Sequence, residues 1–253
     1  MNIPQRARIS VWACLLFPVL MAAAGCSTPP RNSPPAEILL QQGTKQAQAR
    51  NYQEASASFK QLLEDYPDSQ ERVAALLRLA DTLYLRKEYE EAKFNYQKFI
   101  ELYPAHPQAD RAHFYRAMCD YRMTEIAVRD QTPARNAIEQ FDKLIDAFPK
   151  SPYRQQAILK KKECVEKLAR NMFEIGKFYY RNGSYQSAIK RMSSLLEQYP
   201  GQAFNDEAMY LLAESYYNEQ NRALAEKSYS QLIQQYPRSV FVKGARERLK
   251  SLR

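Results

Sequence analysis

Five aromatic-proline pairs punctuate the chain, at Tyr66-Pro67, Tyr103-Pro104, Phe148-Pro149, Tyr199-Pro200 and Tyr236-Pro237. Twelve residues before each proline stands an alanine: Ala55, Ala92, Ala137, Ala188 and Ala225. Four residues after each alanine comes a large apolar residue, Phe59, Tyr96, Phe141, Met192 or Tyr229, and three further on another, Leu62, Phe99, Leu144, Leu195 or Leu232. Steps of four and three place these side chains on one helix face, and each proline stops its helix because it lacks the N–H and clashes with the preceding turn. An earlier apolar helix belongs to each unit, as in Leu76, Leu79, Ala80 and Leu83 or Met209, Leu212, Ala213 and Tyr216, where the small third member permits close helix approach. Only 6 of the 253 residues are glycine, so phosphate-cradling loops and the many tight turns of an all-β fold are excluded. With 45% hydrophobic residues the chain can bury a sizeable core.

This pattern is similar to the tetratricopeptide repeat, in which the alanine and later aromatic fill the seam between helices A and B. Glycine is kept at the helix A position only in Gly43 and Gly176. The spacing departs from 37 residues twice. The third unit carries 8 extra residues around Met123 to Gln131, read as an inter-helix loop ending at an N-cap, Thr132, followed by Pro133. The next gap carries 14 extra, and from Tyr153 to Tyr180 there is neither proline nor a turn dipeptide. One helix of about 28 residues, roughly 42 Å, is expected there. The expected fold is all-α, a tetratricopeptide-repeat superhelix of five helix pairs in two lobes joined by a long central helix. Residues 36–152 would form the first lobe and 153–253 the second.

The first 25 residues have the parts of an export signal: Arg6 and Arg8, an apolar run from Ile9 to Leu20 interrupted by Pro18, then small residues. The run is too short to span a bilayer. Ala23-Ala24-Gly25-Cys26 resembles a bacterial lipobox, which implies a diacylglycerol and an N-acyl chain on Cys26, and Ser27 implies sorting to the outer membrane. Residues 26–35, rich in proline, read as a flexible tether. Removing the leader takes away Trp12 and leaves a charge of about +7, suited to an acidic protein face or anionic head groups rather than nucleic acid. Cys119 and Cys164 remain, in helical patterns that favour buried thiols, although an oxidising compartment would permit a bridge.

Leader, five repeats, an expanded third unit and a long helix together resemble the BamD family, lipoproteins of the outer-membrane β-barrel assembly machine. Matching strings include Pro34-Pro35-Ala36-Glu37-Ile38, Pro104-Ala105-His106-Pro107, Arg129 to Arg135, and Phe148-Pro149-Lys150-Ser151-Pro152-Tyr153. The resemblance implies a lipid-anchored scaffold on the periplasmic face of the outer membrane of a Gram-negative bacterium. Its partners would be the POTRA domain of a BamA-like insertase, other assembly-machine lipoproteins and unfolded outer-membrane proteins, with no cofactor beyond the acyl chains. It places Arg191 at the insertase contact.

By repeat register, Leu40, Thr44, Leu77, Asp81, Tyr84, Arg111, Phe114 and Tyr121 occupy the helix A face of the first three units. Leu40, Leu77, Tyr84, Phe114 and Tyr121 would line a groove for an extended apolar segment, with Arg111 facing a chain-terminal carboxylate. Basic clusters at Lys160, Lys161 and Lys162 and at Lys243, Arg246, Arg248, Lys250 and Arg253 read as solvated faces, or for the terminal cluster as a surface for an acidic partner. Catalytic residues are not expected: His106 and His113, the two histidines, are seven apart with His106 in a Pro-His-Pro turn, which does not suit a metal pair. A scaffold for envelope organisation of the Tol type is the alternative, but its trimerisation segment would find no room between Cys26 and the first repeat.

Overall fold

A computed structural model describes residues 33–126 and 130–252. Eleven α-helices account for the regular structure among them: α1 (Ala36–Gln48), α2 (Tyr52–Asp65), α3 (Glu71–Leu85), α4 (Tyr89–Leu102), α5 (Ala109–Ile126), α6 (Thr132–Ala147), α7 (Arg154–Arg181), α8 (Tyr185–Gln198), α9 (Asn205–Asn218), α10 (Arg222–Gln235) and α11 (Val242–Leu252). The first ten pair as A and B helices of five repeats, each packing on the next. The seam is as the repeat requires. The five alanines, the five large residues from Phe59 to Tyr229 and the five from Leu62 to Leu232 are all completely buried.

Glycine matters where helix B comes closest to helix A. A Cβ on Gly43 would lie 2.6 Å from Cε1 of the buried Phe59 ring, and one on Gly176 would lie 2.9 Å from Cε of Met192. Ala80, Ala117 and Ala213 hold the same register in the other units. An aromatic ring fixed in a close-packed seam cannot yield, whereas the end of a methionine can. Gly43→Ala should therefore destabilise the chain by about 1 to 2 kcal/mol despite alanine's better helix propensity, while Gly176→Ala should be near neutral. Urea melts of both variants test this, and equal midpoints would refute it.

The turns between A and B helices explain how a chain so poor in glycine manages them. Each of four turns places one residue at positive φ: Arg50 at 64°, Lys87 at 65°, Gly183 at 74° and Gln220 at 59°. The next residue's N–H reaches back five positions, from Asn51 to Gln46, Glu88 to Leu83, Ser184 to Tyr179 and Asn221 to Tyr216, at 2.9–3.0 Å. This is the Schellman closure, and at three of its four sites a residue with a side chain holds the left-handed conformation.

The third unit differs from expectation. Helix α5 continues to Ile126, so the first part of the insertion is helical, and residues 127–129 lie outside the described structure. Thr132 is the first residue of α6 rather than its cap; its N–H is taken by the Asp130 carboxylate at 2.9 Å, with Pro133 in the first turn. The long helix α7 has 28 residues, shifted by one from the expected span. It serves two cores at once. Ala157 and Cys164 pack with α5 and α6, whereas Ala169 and Phe173 pack with α8 to α11. Helix α11 covers the last repeat, burying Ala245 and Leu252 as a terminal cap with a polar outer face. Cys119 and Cys164 are free, buried thiols; burial pushes the thiol of Cys164 up to about 11 and that of Cys119 higher still.

Candidate functional site

A connected string of aromatic rings runs from α3 through the start of α4 and α5 to the turn before α7. Tyr84 on α3 meets Tyr89 and Tyr115 edge-on, each at 5.4 Å between centroids, and Tyr115 in turn meets Phe114 and Tyr153. Tyr84, Tyr89, Tyr115 and Tyr153 are half-buried, so part of each side chain is accessible. The repeat register assigns neither Tyr115 nor Tyr153 to the groove. Tyr115 shares the register of Arg78 one repeat earlier, and nothing in its local pattern marks it as central.

Several expected groove residues prove to be core. Leu77 is 4% exposed, Phe114 3% and Tyr121 6%. Phe114 stacks on Tyr153 at 4.9 Å and contacts Phe141, because the turn before α7 folds back over α5. Tyr121 is covered from α7: its hydroxyl donates to Glu163, and the ammonium groups of Lys160 and Lys167 lie 4.7 and 5.1 Å from its ring centroid. Leu40 is half-buried against the first core. Of the three aromatic groove residues, Tyr84 alone is half-buried rather than buried, and its hydroxyl accepts from Arg122 Nε at 3.3 Å.

Arg111 is also committed internally. Its Nη2 donates to Asp81 Oδ1 at 2.8 Å, its guanidinium lies 4.9 Å from the Tyr115 ring centroid, and the Tyr96 hydroxyl donates to the same Asp81 oxygen at 2.6 Å. A carboxylate on helix A, a tyrosine fifteen residues later on helix B and an arginine from the next A helix form a closed set. The C-terminal repeats repeat it. Glu214 accepts from the Tyr229 hydroxyl and from Arg248 Nε and Nη2, both at 2.9 Å, and Arg248 also lies 4.4 Å from the Tyr217 ring centroid. Arg248 therefore ties α11 to α9 and leaves the partner surface. Burial raises the Tyr96 and Tyr229 hydroxyls far above their ordinary range, and the adjacent carboxylates reinforce the shift.

Lys243, Arg246 and Lys250 are exposed on the outer face of α11. Arg191 on α8 is exposed too, with its Cβ 3.2 Å from where a Cβ on Gly176 would stand. In the α7 cluster, Lys160 pairs with Glu163 at 2.9 Å and Lys161 with Asp142, leaving Lys162 as the exposed member. His106 accepts the Gln108 N–H at Nδ1 and packs edge-on against Phe99. His113 packs on Phe148, where burial, Arg116 and Lys143 lower its pKa. Among the described residues no group of His, Cys, Asp and Glu could hold a metal ion, and no helix is long and apolar enough to cross a membrane. Cys26 and Arg253 lie outside the described residues.

A family model described as YfiO, outer membrane lipoprotein, matches residues 32–230. The chain belongs to that family. Curated relatives include a protein from Caulobacter vibrioides, 26% identical over 83% of this chain and 70% of its own length, and one from Haemophilus influenzae, 27% identical over 79% and 80%. Both are named outer membrane protein assembly factor BamD. Among solved structures, a TPR repeats protein from Bacteroides fragilis is similar with a TM-score of 0.49 and 13% identity, over 87% of this chain and 100% of that one.

Proposed function

We propose that this chain is a non-enzymatic scaffold of the outer-membrane β-barrel assembly machine, anchored through acyl chains on Cys26 to the periplasmic face of the outer membrane. Its C-terminal repeats dock on the POTRA region of a BamA-like insertase, and its N-terminal repeats receive unfolded barrel proteins, alongside other lipoproteins of the machine. The observation that carries this reading is the family match across residues 32–230, nearly the whole helical stack. Two features of the surface support the finer assignment. Arg191, Lys243 and Arg246 are exposed cations on the C-terminal repeats and make no ion pair among the described residues, so an acidic partner face meets no internal competitor. The half-buried tyrosines at 84, 89, 115 and 153 offer amphipathic ring edges to an extended chain on the N-terminal repeats.

The test is co-purification of a C-terminally tagged chain from detergent-solubilised envelope, with partners identified by mass. A POTRA-bearing barrel at near-stoichiometric yield is expected, and Arg191→Glu should weaken that association roughly tenfold, about 1.4 kcal/mol. Recovery of Tol or peptidoglycan-associated proteins without such a barrel would overturn the reading.

A further inference from the structure

The first three repeats and the last two are closed by the same module, a turn followed by a capping helix. The turn before α7 and the first half of that helix correspond, 88 residues on, to the turn before α11 and α11 itself: Phe148-Pro149-Lys150-Ser151 matches Tyr236-Pro237-Arg238-Ser239. The contacts recur with the residues. Ser151 Oγ accepts the Tyr153 N–H at 3.1 Å, and Ser239 Oγ accepts that of Phe241 at 3.2 Å. Tyr153 stacks on Phe114 at 4.9 Å, and Phe241 on Tyr210 at 5.1 Å. Lys160 lies 4.7 Å from the Tyr121 ring centroid, and Arg248 lies 4.4 Å from that of Tyr217. Ala157 and Cys164 are buried in one copy as Ala245 and Leu252 are in the other.

The two copies differ on their outer sides. Val240 stands where the turn before α7 has Pro152, Lys243 where α7 has Gln155, and Arg246 where it has Ile158. Capping therefore requires neither the valine nor the two cations. Val240 is 84% exposed, the most exposed large hydrophobic residue among those described. Lys243, Arg246 and Lys250 follow it at steps of three, three and four, so one side of α11 carries an apolar tip and a row of cations about 10 Å long. These three cations and Arg238 in the turn are exposed and make no ion pair among the described residues, and Glu247 is the single carboxylate on α11.

We infer that the outer side of α11 and its leading turn rest on an anionic lipid surface, with Val240 entering the head-group layer and the four cations meeting lipid phosphates. The inference rests on the reading that the chain works at a membrane; it adds to the acyl anchor a contact made by the folded part, and it leaves the insertase to Arg191 on α8. Lysine and arginine ends on long stems, none of them held by a carboxylate, suit a fluid sheet of phosphates that offers no fixed acceptor geometry. Residues 36–152 carry 16 basic and 18 acidic residues, whereas residues 222–253 carry 8 and 2, so an anionic surface draws this end of the stack and not the first repeats. Each cation near such a surface strengthens partitioning about fivefold, so four cations less one carboxylate give about a hundredfold preference for anionic over neutral lipid. A contact of that strength orients an anchored chain without holding a released one.

The test uses the processed chain with Cys26→Ala, so that no acyl chain contributes, and vesicles of phosphatidylcholine with and without about 30% phosphatidylglycerol at low salt. Sedimentation should show about a hundredfold stronger partitioning to the anionic vesicles, lost at about 0.5 M salt. Lys243→Gln combined with Arg246→Gln should weaken it about 25-fold. Since the processed chain has no tryptophan, Val240→Trp adds a single reporter whose emission should move to the blue with anionic vesicles and stay in place with neutral ones. Partitioning equal within twofold for the two lipids, or unchanged within twofold in the double variant, would overturn this inference. So would a double variant that keeps its lipid binding and loses the co-purifying barrel, because the outer side of α11 would then belong to an acidic protein face. Anionic-lipid binding as expected, with no POTRA-bearing barrel recovered, would overturn the proposed function and leave the lipid contact standing.

Discussion

Arg248→Ala should lower the stability of the C-terminal repeats by about 2 to 3 kcal/mol, a fall of roughly 5–10 °C in the melting midpoint for a chain of this size. Glu214 is 4% exposed at its side chain, and three donors hold its two oxygens: Tyr229 on α10 and the two nitrogens of Arg248 on α11. Truncating Arg248 leaves a buried carboxylate with only tyrosine hydroxyls beside it, those of Tyr229 and Tyr210. Removing one partner of a buried pair commonly costs 3–5 kcal/mol. The lower figure applies here because Arg248 is itself 39% exposed, so water partly replaces it. Arg248→Lys keeps the charge but loses the paired geometry, and an intermediate loss is expected. Lys243→Ala, on the exposed side of the same helix, should stay within about 0.5 kcal/mol. Because repeats couple to their nearest neighbours, the damage should be local, with hydrogen exchange accelerating in α9 to α11 before α1 to α4. A midpoint within 1 °C of wild type would show that the Glu214 site is solvated and that the pairing with Arg248 does not hold α11 in place.

That Arg248 is committed to the buried Glu214 is the kind of fact the sequence does not display. Periodicity states which residues share a helix face, and on that basis the seam was legible: the alanine, aromatic and leucine of every repeat are buried as their spacing requires. Helix α7 was legible for the same reason, as a stretch without breakers. The helix A face was not, because its depth depends on what the next element lays over it. Phe114 is buried by Tyr153, thirty-nine residues later, and Tyr121 by lysines of α7, pairings that no local pattern encodes. Arg111 and Arg248 read as free cations for want of a view of Asp81 and Glu214, although the fifteen-residue offset of Asp81 to Tyr96 and of Glu214 to Tyr229 was available as a repeated signature. The left-handed turn residues were hidden more thoroughly. Arg50, Lys87 and Gln220 adopt a conformation that glycine would announce, held by the Schellman closure around them rather than by their own preference.

Replacing Cys26 should move the whole protein off the membrane while leaving its fold intact. The variant to make is Cys26→Ala behind a cleavable leader that lacks a lipobox, so that export continues and only acylation is lost. One acyl chain gives marginal, reversible binding, with a partition constant of about 10⁴ M⁻¹, and stable anchoring needs at least two. The expected diacylglycerol and N-acyl chain would supply three, so the effect of their loss should be close to complete. No described helix can take over, since none is long and apolar enough to span a bilayer. The variant should appear in the soluble periplasmic fraction and leave the detergent phase of a phase-separation assay, with its melting curve unchanged because the first helix starts ten residues later, at Ala36. On the proposed function, such an anchor would also set how much a contact at Arg191 must contribute. Held on the membrane, the proposed scaffold would meet an insertase at an effective concentration far above its bulk value, so a modest docking affinity would suffice. Released, it must dock on affinity alone, and Arg191→Glu should then abolish co-purification that it merely weakens in the acylated chain. Membrane association of the Cys26→Ala form that persists at 0.5 M salt would mean that a protein contact, not lipid, holds the chain in place.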